Sequence, residues 1–572
     1  MNEGGLSMAP LLELRDVSVQ YDTQATPTLQ HINLTIHQGE KILLTGRSGS
    51  GKSTLARLLN GLIPSEYAGT VTGRINLSGQ DVTQQSVFKR SLVIGTVLQD
   101  SNAQFVGLTT GEDIAFALEN DALVHSQLMA KVADWAAELH VTDLIDLAPQ
   151  VLSGGEKQRV AMAGVLIDDE PILLLDEPLA SLDPASGQRM MKLLSRLQAE
   201  DDLTIIIGEH RIEDILTGGV DRIVILDDGQ VVSDATVPQT LTSGQLARFG
   251  LATPTYIQLL QAAGLDLKQV KNIEQPDELT APDLEQRLKQ FVASIESTPE
   301  LSSGMLNDEI GLRIARLNFG YPTGQHIFTD FNLNFKADEM IAIVGKNGSG
   351  KSTLMQLIAG FLNPLSGEIR FKQTDLLALS IKERAQYIGY VAQNPNQMFT
   401  QANVFDEVAI GLRLRGIAES EIKTQVDRLL KIADLYEFRH WPVSVLSYGQ
   451  KKRLSIIAVL ILQPKVLILD EPTAGQDATH AKSLIQLVTE LHHEERLTVI
   501  LITHDMNLLQ TVAQRTIAMV DGQVVADMEP SELLQNKSIL HVADLRQTGL
   551  MTLINRFDST WSTAQIVRML NE

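Results

Sequence analysis

Short apolar runs ending in glycine or in a carboxylate recur along the chain. KILLTG (Lys41–Gly46) and MIAIVG (Met340–Gly345) form one pair, PILLLDEP and KVLILDEP a second, LTIIIGEH and LTVILITH a third. Apolar runs this short, without polar alternation, read as strands buried on both faces. Helical periodicity lies between them, and strands alternating with helices predict an α/β fold with a mostly parallel sheet. The three runs keep the same order in both halves of the chain.

The repeat is also one of single residues. Tyr21 matches Tyr321 and Lys52 matches Lys351, at offsets of 300 and 299. Gln99 with Gln393, Ser153 with Ser447, Asp176 with Asp470 and His210 with His504 all keep an offset of 294. The sequence therefore divides into a first unit (1–250), a linker with helical extension (251–306), a second unit (307–545) and a C-terminal helical extension (546–572). In the linker, ATPTYIQLLQAAGLDL and APDLEQRLKQFVASI predict amphipathic helices, and ESTPELSSG a loop. TLINRFDSTWSTAQIVRMLNE predicts one or two further helices.

Composition narrows the function. The 572 residues are too many for one ordinary domain, and 44% hydrophobic content is that of a globular protein. With 47 basic and 70 acidic residues the net charge is −23, which argues against nucleic acid as the main partner. Cysteine is absent, so disulfides, cysteine zinc sites and iron–sulfur clusters are excluded. The N-terminus carries no secretory pattern. The apolar run LSIIAVLIL stops at Gln463, far short of the roughly 20 residues that cross a bilayer. The chain is expected not to span a membrane, while it can sit on one.

The chemistry lies at the ends of the apolar runs. GRSGSGKST (Gly46, Arg47, Ser48, Gly49, Ser50, Gly51, Lys52, Ser53, Thr54) and GKNGSGKST (Gly345, Lys346, Asn347, Gly348, Ser349, Gly350, Lys351, Ser352, Thr353) fit G-x-x-x-x-G-K-[ST] between a strand and a helix. The glycines let backbone N–H groups wrap phosphates, the lysines reach the β and γ phosphates, and Ser53 and Ser352 can ligate Mg²⁺. The N-terminus of the following helix adds a positive field. Asp176 and Asp470 end strands, where a carboxylate helps to hold Mg²⁺. Glu177 and Glu471 follow them, placed to polarise a water. His210 and His504 lie 33 residues beyond those glutamates in each half. A lone histidine is more often structural, but equal spacing in two copies favours function.

These residues resemble the ATP-binding cassette (ABC) family, over both halves. Walker A, a Q-loop glutamine (Gln99, Gln393), a signature (VLSGGEKQR, Val151–Arg159; VLSYGQKKR, Val445–Arg453), Walker B with its glutamate, a D-loop (Ser181–Asp183; Gly475–Asp477) and an H-loop histidine follow in family order. The resemblance implies two P-loop NTPase domains in tandem, each with a helical subdomain, and ATP and Mg²⁺ as cofactors, with Gln99 and Gln393 near the metal. It implies that Tyr21 and Tyr321 stack on adenine, where ordinary packing is the bland alternative. It further implies a head-to-tail intramolecular pseudo-dimer in which Ser153 and Gly155, or Ser447 and Gly449, approach the γ-phosphate held by the other half. Tyr448 replaces the first signature glycine. It reads as tolerated, leaving two competent but unequal sites.

Three kinds of ABC protein compete: an importer ATPase on membrane subunits, a soluble tandem ATPase of the translation-factor type, and a DNA-maintenance ATPase. A ribosome-reaching arm should be basic, yet positions 236–306 hold five basic and eight acidic residues. The 54 residues from Q-loop to signature in both halves leave no room for a long coiled coil. The segments after the Q-loops, Leu98–Asn120 and Ala392–Leu412, resemble those of energy-coupling factor (ECF) type ATPases. That resemblance implies ATP-driven solute import from the cytoplasmic face of the cell membrane, as a peripheral subunit bound to integral membrane transporter subunits and not to nucleic acid. Glu112, Asp113, Asp406 and Glu407 start a predicted helix there. They can receive arginines from a membrane partner, or they can serve the helix dipole.

Overall fold

The computed structural model describes residues 10–99, 103–119, 123–179, 182–296, 309–322, 324, 326–558 and 561–571. The loop ESTPELSSG, after its first residue, and Ser181 of the first D-loop lie outside the described residues. The fold divides into two units: 1–254 with 267–281, and 255–266 with 282–572.

The first unit holds two sheets. Strands β1 (Pro10–Tyr21), β2 (Leu29–His37), β4 (Gly69–Leu77) and β5 (Gln80–Asp81) form an antiparallel sheet in the order β2-β1-β4-β5. Strands β3 (Lys41–Gly46), β6 (Ile94–Val97), β7 (Ile172–Asp176), β8 (Thr204–Gly208), β9 (Arg222–Asp227) and β10 (Gln230–Thr236) form a second sheet in the order β10-β9-β3-β8-β7-β6. It is parallel except for the β9–β10 hairpin. The three runs predicted from the sequence are its centre, and β8 is buried at every position, as a strand covered on both faces must be.

The second unit repeats this. Strands β11 (Ile310–Gly320), β12 (His326–Lys336), β14 (Ser366–Phe371) and β15 (Thr374–Asp375) make the antiparallel sheet, in the order β12-β11-β14-β15. Strands β13 (Met340–Val344), β16 (Ile388–Val391), β17 (Val466–Asp470), β18 (Thr498–Ile502), β19 (Arg515–Val520) and β20 (Gln523–Met528) make the mostly parallel one, in the order β16-β17-β18-β13-β19-β20. Apolar residues of both sheets share one core with the helix Lys351–Ala359. A second core joins the helices Val404–Leu414, Glu419–Ile432 and Tyr448–Leu460, the helical subdomain. The matching helices of the first unit are Thr110–Ala115, His125–Glu138 and Gly154–Leu166.

The linker helices form as Thr255–Ala262 and Leu284–Glu296, and the C-terminal segment forms Gly549–Ile554 and Thr563–Asn571. All four belong to the second unit, where Thr255–Ala262 packs on both C-terminal helices. Arg287 donates to the Gly264 carbonyl at 2.8 Å. The stretch between the linker helices, 267–281, belongs to the first unit and is closed by a bridge between Lys271 and Thr280.

Candidate active site

The carboxyl ends of β3, β7 and β8 gather the chemistry of the first unit, and those of β13, β17 and β18 that of the second. In an open parallel sheet this edge is where ligands bind. Walker A follows β3. A Cβ on Gly46 would lie 2.3 Å from the Leu226 carbonyl oxygen, and one on Gly345 would lie 2.1 Å from that of Met519. The loop therefore leaves the sheet against the neighbouring strand, and only glycine allows that approach. Lys52 Nζ donates to the carbonyls of Gly46 (2.8 Å) and Arg47 (3.1 Å), and Lys351 Nζ to those of Gly345 (2.7 Å) and Lys346 (2.8 Å). Each lysine is thus folded over the mouth of its own loop. Arg47, Ser48 and Gly49 stand exposed at the first loop, as Gly348 does at the second, while Ser50 and Ser349 are buried beneath them. Gly51 and Gly350 cap the helices that begin at the lysines, which leaves first-turn N–H groups facing the loop.

Asp176 ends β7 opposite Gly208 of β8, and Asp470 ends β17 opposite Ile502 of β18. Burial pushes Asp176 up, as does the charge of Glu177, against a hydrogen bond from Ser53. Burial also raises Asp470, against hydrogen bonds from Tyr390 and Ser352. A hydroxyl and a carboxylate are hard oxygen donors, and a divalent cation would supply the compensation that burial withholds. Among the described residues no group of three or more acidic, histidine or cysteine side chains could hold a metal by itself. One carboxylate with one hydroxyl is a donor set that Mg²⁺ accepts, its shell completed by phosphates and water.

Glu177 and Glu471 occupy the left-handed backbone region, with φ of 52° and 46°, an uncommon conformation for a residue with a side chain. The Glu177 N–H donates to the Gly208 carbonyl (2.8 Å) and the Glu471 N–H to that of Ile502 (3.0 Å), so both turns are held by the adjacent strand. His210 Nε2 stands 3.3 Å from Glu177 Oε1, and His504 Nε2 stands 3.5 Å from Glu471 Oε1. The Gln99 amide donates to Glu177 Oε2 at 2.7 Å. Burial alone would raise Glu177. His210, the Lys52 ammonium and Gln99 outweigh it and hold the carboxyl below the ordinary glutamate value. A carboxylate kept ionised is suited to orient and polarise a water.

The signatures open helices. Ser153 forms a reciprocal capping box with Glu156, and Ser447 one with Gln450, the arrangement that satisfies orphan N–H groups at a helix start. Gly155 is buried, and a Cβ on Gly449 would lie 3.2 Å from the His480 ring. Tyr21 bonds to Thr54 (3.2 Å) and Tyr321 to Thr353 (3.0 Å), so each tyrosine is moored to its Walker A helix. Asp183 and Asp477 of the D-loops cap the helices that follow them.

The four acids after the Q-loops have local partners. Asp113 is buried and accepts from the N–H groups of Val106 (2.7 Å) and Gly107 (3.0 Å). Glu407 is buried and accepts from those of Thr400 (2.8 Å) and Gln401 (2.6 Å). Glu112 completes a capping box with Thr109, and Asp406 pairs with Arg413 at 2.9 Å. These acids serve helix capping and loop closure, each of Asp113 and Glu407 through one carboxylate oxygen that accepts from two loop N–H groups.

Sequence reasoning passed over three residues beside the site. Tyr390 OH donates to Asp470 Oδ2 at 3.0 Å, where the first half has Thr96. Glu209 is buried next to His210 and accepts from the N–H groups of Leu179 (3.3 Å), His210 (2.8 Å) and Arg211 (3.3 Å). Burial and the charge of Glu177 raise it. Lys452 is buried where the first half has Gln158. The available signal was the mismatch of the two repeats at each position.

Comparison with known proteins agrees with this geometry. A family model described as ABC transporter matches residues 29–180 and 328–474. A second, described as ATP-binding cassette cobalt transporter, matches 243–319. A protein of Lactiplantibacillus plantarum named for an ABC transporter ATP-binding role is 48% identical over 545 residues, 95% of this chain and 96% of its own length. Proteins of the same name from Lactobacillus johnsonii and Enterococcus faecalis are 44% and 43% identical, over 96% and 95% of this chain and 95% of each of theirs. Among solved structures, cbiO1 of Clostridium perfringens, part of the ABC transporter complex cbiONQ, is 35% identical over 41% of this chain and 94% of its own, with a TM-score of 0.38. Two cassettes that each join a phosphate loop to a His–Glu pair, together with full-length relatives of one name, lead to one conclusion: the chain is a tandem ATPase of the ABC transporter ATP-binding family.

Proposed function

We propose that this ATPase drives solute import as a peripheral subunit on the cytoplasmic face of the cell membrane, bound to integral membrane transporter subunits of the ECF type. The observation that carries the ECF reading is the match of residues 243–319 to the cobalt-transporter family description, since this stretch lies outside the parts shared by all ABC cassettes. No helix among the described residues is long and apolar enough to cross a membrane, so in this reading the transport path is formed by the partners.

Each half binds one ATP. Lys52 and Lys351 neutralise the β and γ phosphates, and Tyr21 and Tyr321 pack against adenine. Ser53 with Asp176, and Ser352 with Asp470, hold Mg²⁺, which when bound neutralises charge on the phosphates. Gln99 and Gln393 stand beside them. Glu177 and Glu471 orient the attacking water, and His210 and His504 steady those carboxylates and the γ-phosphate. The two halves face each other head to tail, so that Ser447 and Gly449 complete the first site, and Ser153 and Gly155 the second. ATP binding closes the pair and hydrolysis reopens it.

The test is affinity recovery of the tagged chain from solubilised membranes in Mg-ATP, with mass spectrometry of the companions. A multispanning subunit with a small substrate-binding membrane protein is expected. Recovery of ribosomes, or of no membrane protein, overturns the importer reading and leaves the ATPase standing.

A further inference from the structure

Beneath the second signature lies a pair of contacts that the site described above does not use. Tyr448 is the first residue of its helix. Its hydroxyl donates to the Gln393 carbonyl at 3.4 Å, and its ring lies 5.9 Å from Lys452 Nζ. A Cβ on Gly475 of the D-loop would sit 3.5 Å from Tyr448 Cε1. Lys452, one turn further, is wholly buried. Its ammonium donates to two main-chain carbonyls, that of Gln393 in the Q-loop and, at 3.1 Å, that of Glu471. One side chain of the signature helix thus draws together the peptides that carry the Q-loop glutamine and the strand-end glutamate. The Glu471 peptide is the one in the left-handed region, where an added hydrogen bond on its carbonyl helps to fix the turn. The first half differs at both positions. Gly154 stands for Tyr448, and the buried Gln158 stands for Lys452, with its Nε2 meeting no acceptor among the described residues.

We propose that Lys452 and Tyr448 are positioning residues for turnover in the second half: they strap the signature helix to the Q-loop and to the backbone of Glu471, so that the place of that carboxylate follows the place of the helix. The proposal rests on Glu471 as the water-orienting residue. Charge-assisted bonds to carbonyls are stronger than neutral ones, and a buried ammonium has few other ways to satisfy its protons. The strap is therefore stiff where the first half has a neutral amide. It makes the two sites unequal from behind, while the loop lysine and serine, the strand-end aspartate and glutamate and the histidine match.

The experiment uses the full chain assembled with the membrane subunits recovered with it, in a Glu177→Gln background that leaves turnover to the second half. Steady-state kcat and KM for ATP are measured for Lys452→Met, Lys452→Arg and Tyr448→Gly, alongside thermal melting. Lys452→Met is expected to lower kcat by about tenfold, the scale of one charge-assisted bond, with KM within about twofold of the parent. Lys452→Arg, which keeps a charged donor, should recover most of the loss. Tyr448→Gly should lower kcat by about threefold, the scale of a weak neutral bond. A Lys452→Met protein that melts like the parent and keeps its kcat overturns the strap. So does a loss that arginine does not rescue and that comes with a lower melting midpoint, since that describes packing. If Lys452→Met does not fold, an unchanged kcat in Tyr448→Gly overturns the proposal on its own, because glycine occupies that position in the first half. Adding Glu471→Gln to the background must abolish the remaining turnover. Survival of turnover there would overturn the role of Glu471, and the strap with it, in a pattern the Lys452 variants alone do not give.

Discussion

Asp176 and Asp470 end equivalent strands and face equivalent serines, yet only Asp470 also receives a tyrosine hydroxyl, from Tyr390. The same contrast recurs around the glutamates. Glu177 has the buried Glu209 behind its histidine, where the second half has Thr503. Glu471 has Lys452 donating to its own carbonyl, where the first half has Gln158. The loop lysine and serine, the strand-end aspartate and glutamate and the histidine are held in common, and several residues one layer behind have diverged. Groups that touch phosphate or water are bound by the geometry of the reaction, whereas the supporting layer can reach similar positions through different bonds. The comparison predicts equal chemistry and unequal control.

The largest effect should come from the shared layer. Glu177→Gln and Glu471→Gln should each cut turnover at their own site by about 10²–10⁴-fold, the range for loss of a positioned base, with ATP binding retained. Single-turnover hydrolysis of a chain loaded with two ATPs would count the sites. If one variant loses all turnover and the other none, one half is silent and the comparison of two working sites breaks. Next in size, Lys52→Ala and Lys351→Ala should weaken ATP binding in their own halves, with about 10²–10³-fold lost in turnover, as for removal of one oxyanion donor. Binding of a fluorescent ATP analogue at graded concentrations reads this directly.

Much of that shared layer was legible in the sequence because phosphate binding is local. A loop of glycines with a lysine and a serine at fixed spacing, between strand and helix, is written in nine consecutive residues, and Asp176 and His210 announce themselves at the ends of apolar runs. The supporting layer was not legible. A lysine in KKR reads as a solvated helix face, and only the three-dimensional packing shows Lys452 to be buried. Glu112, Asp113, Asp406 and Glu407 illustrate the reverse. Acids at a helix start look alike in sequence whether or not they close the preceding loop, and only the structure shows Asp113 and Glu407 accepting from that loop's N–H groups. The left-handed backbone of Glu177 and Glu471 had no sequence signal, since glutamate does not favour it. Nor did the linker reveal that residues 267–281 join one unit while the helices flanking them join the other, because that depends on contacts hundreds of residues apart.

Within the supporting layer, Tyr390→Phe removes a hydrogen bond to a buried carboxyl acceptor. Asp470 then loses a donor that lowers its pKa, so the variant should need more Mg²⁺ for half-maximal turnover in a Glu177→Gln background. Thr96→Val in the first half should change that requirement little in a Glu471→Gln background, because the buried Thr96 hydroxyl meets no partner among the described residues. Equal responses in the two halves would show that Tyr390 is not what distinguishes them.

The smallest effect concerns stability and tests the burial of Lys452 without reference to catalysis. Burial pushes its ammonium down to about 8, against the charges of Glu471 and Asp470, which favour it. The unfolded chain keeps the ordinary lysine value, so between these two values the unfolded state binds more protons than the folded one, and stability rises with pH. Below about pH 8 both states are protonated and the full cost of burying the charge is present. As the pH rises above that, the folded state sheds the proton and the cost is relieved. From pH 8 to pH 9 the gain should be about 1 kcal/mol, and Lys452→Met should lack it. Melting midpoints of the second unit's transition, compared between the two proteins across that window, should diverge in favour of the unaltered chain. Parallel curves would mean that the lysine is not desolvated, and the difference between Lys452 and Gln158 would then reduce to shape rather than charge.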